Sequence, residues 1–214
     1  NVSLVGVGRY TIKFYVYCHG NHAEIDGTVK AENNIWLTAA DSITASAKTS
    51  ASNAGLANVG RSTATSTVDK QIGHTSVGTG AVLEAREDIN IYASTRSNLI
   101  AEVAANAVAL GDFGAVYAST ALNNRNTKFT AGDGARIVSR YGNIYINVLA
   151  DTAKQNATAT MGGYGIISGG NGPESSAYIK TNTTADIGNG VVITALFGDL
   201  GIAATSKNDI YAYA

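Results

Sequence analysis

The same short text returns about every 55 residues, and for a chain of 214 residues this self-similarity limits the fold more than any other property. Gly78-Thr79-Gly80-Ala81-Val82-Leu83 leads to Asp88-Ile89-Asn90-Ile91-Tyr92-Ala93, and Gly132-Asp133-Gly134-Ala135-Arg136-Ile137 leads to Asn143-Ile144-Tyr145-Ile146. Gly188-Asn189-Gly190-Val191-Val192-Ile193 leads likewise to Asp199-Leu200-Gly201-Ile202, and a shortened copy joins Ile25-Asp26-Gly27-Thr28-Val29 to Asn34-Ile35-Trp36-Leu37. The apolar anchors Ile35, Ile89, Ile144 and Leu200 are spaced by 54, 55 and 56 residues. An independent register agrees, because Val7-Gly8-Arg9 returns as Val59-Gly60-Arg61 and His22 as His74.

Within each copy the pattern has period two. In Ile89-Asn90-Ile91-Tyr92-Ala93 and Ile144-Tyr145-Ile146-Asn147-Val148, β-branched residues alternate with polar or aromatic ones, as in a strand with one buried face. Gly- and Asn-containing turns bound these runs. A unit of this kind cannot bury its apolar face alone, whereas stacked copies pair every strand with a neighbour above and below. The expectation is an all-β fold, a parallel β-solenoid, with two or three coils of short strands in each repeat. Residues 1–24 then end a preceding repeat, 25–77, 78–131 and 132–187 are three repeats, and 188–214 open a fourth, in one continuous solenoid. The Ala-rich stretch Asn98 to Leu110 has roughly helical spacing, but its counterpart Ser46 to Leu56 is rich in residues that suit a helix interior badly, so strand is expected there too.

Composition narrows the function. Charged residues make up only 14% of the chain, well below the usual share of an α/β enzyme. Lys and Arg number 15 against 16 Asp and Glu, without a basic run, which argues against nucleic acid as a partner. No apolar stretch has membrane-spanning length. Cys18 is the single cysteine, so the fold cannot rest on internal disulfides.

Thr127 to Gly134 and Thr183 to Gly190 run into Val- and Ile-rich strands, and this text resembles the filamentous-haemagglutinin-like and leukotoxin-like adhesins of Gram-negative bacteria. Those passenger regions repeat a similar Ile-Gly-Asp-Gly-Ala-x-Val motif. The resemblance covers Ile25 to Ala214, and it implies a right-handed parallel β-helix at the bacterial cell surface or outside the cell, serving as a shaft or adhesive rod. The aromatic stretch Tyr10 to Tyr17 and Cys18 depart from the pattern.

Several residues are candidates for particular roles. Asn34, Asp88, Asn143 and Asp199 precede the anchors and read as turn formers, a structural ladder in place of a calcium or sugar site. Trp36, Tyr92 and Tyr145 follow the anchors and are candidates for stacking on glycan rings, with cross-strand packing as the plainer role. Glu84, Glu87 and Asp88 beside Arg86 form the one compact acidic group; a solenoid that cuts polysaccharide would use such a cluster, and a solvated edge is the simpler reading. His19 and His22 have ligand-like spacing without a repeated partner, and Gly169-Gly170-Asn171-Gly172 lacks the Asp of a calcium-binding nonapeptide. No catalytic, cofactor or metal set emerges. Asn1-Val2-Ser3, Asn156-Ala157-Thr158 and Asn182-Thr183-Thr184 match the glycosylation acceptor triplet.

The expected function is therefore a structural or adhesive rod segment without catalysis. Its expected partners are neighbouring solenoid copies or the rest of a longer chain, head-to-tail self-association into filaments, and a host or cell-surface glycan. The alternatives are a polysaccharide-active β-helix enzyme and a glycan-binding solenoid. Both ends read as uncapped.

Overall fold

The computed structural model describes residues 2–164, 167–169 and 172–214. Among these the chain has strands and no helix: β1 (Val2–Ile25), β2 (Thr28–Ala31), β3 (Ile35–Val77), β4 (Val82–Ala85), β5 (Ile89–Ala131), β6 (Arg136–Ser139), β7 (Ile144–Tyr164), β8 (Ile167–Gly169), β9 (Pro173–Ile187), β10 (Val192–Ala195) and β11 (Leu200–Tyr213). Every pairing is parallel. The long strands stack as β1-β3-β5-β7-β11, with β8 and β9 also on β5, and the short strands stack as β2-β4-β6-β10. This is a parallel β-solenoid.

Each repeat is one coil, not the two or three expected from the sequence. Ile35 pairs directly with Ile89, and Ile89 directly with Ile144, so one turn of the solenoid consumes a whole repeat. The reason is the length of the strands. β3 and β5 each run for 43 residues, through Ala-, Ser- and Thr-rich text whose hydropathy alternates too weakly to mark a strand.

Such a strand must double back to enclose a core. Asp41 accepts a hydrogen bond from Gln71 at 2.8 Å, Thr95 meets Thr127 at 2.5 Å, and Ala47 and Ala64 share one apolar cluster, so the first half of each long strand faces the second. At roughly 3.3 Å per residue the outward half extends about 70 Å before it returns. A Gly turn, a four-residue short strand and a second turn then close the coil.

The core is densest beside the short strands, where Leu83, Ile89, Ile91, Phe129, Ile137 and Ile144 form one cluster. Toward the far end it thins to Ala and Val, as in Ala101, Val103, Val116 and Ala118. Asn98 to Leu110 is strand, with Leu99, Ala101 and Val103 buried and Ile100 and Glu102 half-buried, because neighbours above and below outweigh helical propensity.

The recurring Gly-x-Gly text has two separate causes. The second glycine, Gly80, Gly134 or Gly190, has a φ of 66–69°, where a side chain is strained. The first lies against the rung below: a Cβ on Gly132 would stand 2.6 Å from the Thr79 nitrogen.

Candidate functional site: columns across the coils

Equivalent residues of successive coils form columns, so the chemistry of this molecule is arranged along the stack. Asn34, Asp88, Asn143 and Asp199 make one such column at the corner before each outward strand. The Asp88 amide donates to Asn34 Oδ1 at 2.8 Å, the Asn143 amide to Asp88 Oδ1 at 2.7 Å, and the Asp199 amide to Asn143 Oδ1 at 2.8 Å. These bonds run up the stack and not back into the residue's own turn. No described residue other than glycine has a positive φ, so tolerance of left-handed backbone is not what selects Asn and Asp here. Asp133 repeats the device at the Gly turn, accepting from the Asn189 amide at 2.7 Å.

The anchors Ile35, Ile89 and Ile144 are buried, the last two completely. Leu200 stands in the same column but is 48% exposed.

The three aromatics are not a single stack. Trp36 pairs with Asn90, which pairs with Tyr145, so a full rung separates the two rings, while Tyr92 stands in the column of Thr38 and Asn147. Trp36 is 70% exposed. Tyr145 bends over Gly201, where a Cβ would come within 3.1 Å of the ring. An exposed ring pair that reading the sequence missed lies at the next corner: Tyr141 stacks on Phe197 at 5.6 Å, with the Arg86 guanidinium 5.8 Å from the Tyr141 ring centre.

The acidic group beside Arg86 is dispersed by this geometry. Glu84 is held by Arg140 at 2.5 Å and Lys30 at 3.1 Å, one rung to either side, and Arg140 above all keeps its carboxyl below the usual carboxylate range. Asp88 belongs to the ladder. The concavity here, about 320 Å³, is lined by Lys30, Glu32, Glu84, Arg86, Arg140 and Tyr141. A carboxylate clamped by two cations is poorly placed to donate a proton as a glycosidic general acid.

His19 and His22 lie on opposite faces of β1, since an odd spacing in a strand reverses direction. His19 pairs in register with buried Gln71 and its Nδ1 lies 2.5 Å from Asp41 Oδ1, while His22 points outward. The partner of His22 is a histidine after all, found across the rungs: His22 and His74 stack at 4.5 Å with an interplanar angle of 2°. Burial, then His22 and Lys128, lowers the His74 pKa.

A buried polar band was also missed. Asp41, Gln71, Thr95, Arg125 and Thr127 cross the interior between the apolar clusters. Arg125 is fully buried and donates to Thr181 at 3.2 Å, Ser97 at 3.3 Å and Asn208 at 2.9 Å, and burial lowers its pKa to about 10. The signal was present in the repeat, where His19, Gln71, Arg125 and Thr181 fall in one column.

Gly170 and Asn171 of the Gly-rich run, and Asn1 of the first acceptor triplet, lie outside the described residues. Among the described residues no three or more of His, Cys, Asp and Glu converge on a point fit for a metal ion. No described helix is long and apolar enough to cross a membrane. Compared with known proteins, the chain matches no family model, no curated protein and no solved structure.

Proposed function

We propose that the chain is a segment of an adhesive or structural shaft in a large exported bacterial surface protein, and that it acts by stacking with further solenoid. The observation that supports this best is the register: each repeat forms one rung that pairs residue for residue with the next, Ile35 on Ile89, Ile89 on Ile144 and Ile144 on Leu200. A repeat of this kind buries its apolar columns against other copies, and further copies extend the same columns. Tyr10, Ile12 and Phe14 of β1 lie in the inward columns of Ser62, Ala64 and Ser66 and are about 40% exposed, and Leu200 and Ile202 of β11 are 48% and 45% exposed, whereas Ile144 and Ile146 in the same columns as the last two are fully buried.

The Asx column favours the same partner, since each side chain in it accepts an amide from the rung above, a device that a further copy continues. Copies of the chain stacked head to tail along the solenoid axis give an open filament and not a closed ring. Light scattering over a concentration series, followed by electron microscopy, tests this reading. Association into stacks that lengthen along the solenoid axis is the expected result. A monomer at high concentration, without end-to-end stacks, would overturn it.

A further inference from the structure

The outer face of the returning strands carries two adjacent columns. One is His22, His74, Lys128 and Thr184, and the other Glu24, Ser76, Thr130 and Asp186. Three members of the first reach the second one rung up: His22 Nε2 contacts Ser76 Oγ at 3.1 Å, His74 Nε2 contacts Thr130 Oγ1 at 3.1 Å, and Lys128 Nζ contacts Asp186 Oδ2 at 2.8 Å. The two imidazoles therefore present the same nitrogen in the same direction, on neighbouring rungs, with their planes parallel.

We propose that His22 and His74 together form a two-imidazole binding site for a borderline divalent transition-metal ion, with copper(II) as the preferred ion, and that the bound ion clamps β1 to β3. The two rings stand on neighbouring rungs, within reach of one ion. Two nitrogens at about 2.0–2.1 Å from a shared ion lie about 2.8–3.4 Å apart in adjacent positions. Rings whose centres are 4.5 Å apart and whose planes are parallel aim their nitrogens side by side, so each ring turns about χ1 and χ2 to converge on the ion, which takes the place of the two hydroxyl contacts.

A metal requires neutral imidazole, so binding strengthens as the pH rises through the ordinary histidine range. Water completes the coordination, since no third His, Cys, Asp or Glu among the described residues converges on the pair. Higher rungs carry Lys128 and Thr184 in the imidazole column, so the site is confined to the first two. Imidazole pairs bind copper(II) most tightly among the first-row divalent ions.

The test uses the full chain carrying Cys18→Ser, so that the exposed thiol neither binds nor reduces the metal. Copper(II) is titrated alone and followed by electron paramagnetic resonance. One equivalent with coupling to two nitrogens is expected, and His22→Ala and His74→Ala should each weaken binding at least tenfold, while His19→Ala should not. Two-nitrogen coupling that survives in the double variant, or single variants that bind as tightly as the parent, would overturn the proposal. Hydrogen exchange on the chain with both histidines intact gives a readout independent of variant folding: copper(II) should slow exchange in residues 15–25 of β1, and unchanged exchange there would also overturn it.

Discussion

Arg125 Nη2 donates to Asn208 Oδ1 at 2.9 Å, joining residues 83 positions apart in the chain through the interior of the stack. The same guanidinium reaches Ser97 and Thr181, so one side chain links β5, β9 and β11. None of its hydrogen-bond partners is a carboxylate. Its hydrogen bonds all go to neutral oxygens, with the Asp151 carboxylate favouring the charge from farther off, and removing it leaves several of those oxygens without a donor.

Arg125→Ala should accordingly destabilise the fold by about 3 kcal/mol, from lost charge-assisted hydrogen bonds and an unfilled site. Arg125→Gln, which installs the residue that Gln71 places one rung below, should cost about half as much. Urea denaturation of the two variants against the parent checks this, and equal losses would show that the polar contacts do not matter.

Stability should fall as the pH drops below 6.5, the ordinary histidine value, in part because of His74. Burial and the neighbouring His22 and Lys128 lower its folded pKa, so between the two values the unfolded chain binds the proton that the folded chain resists. His74→Gln should flatten that part of the melting-temperature profile between pH 7 and pH 5. An unchanged slope would place the pH sensitivity elsewhere.

Ile144→Asp should prevent folding or cost several kcal/mol, since it puts a carboxylate in a fully buried apolar column. Asn147→Ala, three residues on and exposed, should cost less than about 1 kcal/mol. Thermal melts of both variants separate the two faces of β7, and similar melts would mean the faces are assigned wrongly.

The two glycines of one turn should respond differently. Gly134→Ala strains the backbone at φ 69° but meets no atom within 4 Å, so about 1–2 kcal/mol is expected. Gly132→Ala drives a methyl group into the Thr79 backbone and should cost more, because the rungs must separate to admit it. Calorimetry of the pair gives the order.

The sequence revealed the solenoid through Ile35, Ile89 and Ile144, because equivalent residues of a stacked fold share one environment and evenly spaced anchors expose it. The size of the coil was hidden, since Ala, Ser and Thr fill both faces of the long strands and leave no alternation to count. Contacts across the coil were hidden as well. Asp41 with Gln71 and Thr95 with Thr127 meet through a fold-back at no fixed spacing, whereas His22 with His74 follows the repeat and was legible as a register but not as a ring pair.

A coil that takes a whole repeat for each rung makes an unusual shaft. About 55 residues advance it by only about 4.8 Å, the spacing of neighbouring strands, so the chain builds breadth at the expense of reach. With about 70 Å between its narrow edges and about 10 Å between its packed sheets, the cross-section is a slab, and bending rigidity, which grows with the cube of depth, differs by roughly 50-fold between the two directions. Thermal motion would flex such a ribbon toward its broad faces and hardly at all toward its edges, so anything carried on the short-strand edge would sweep in a single plane.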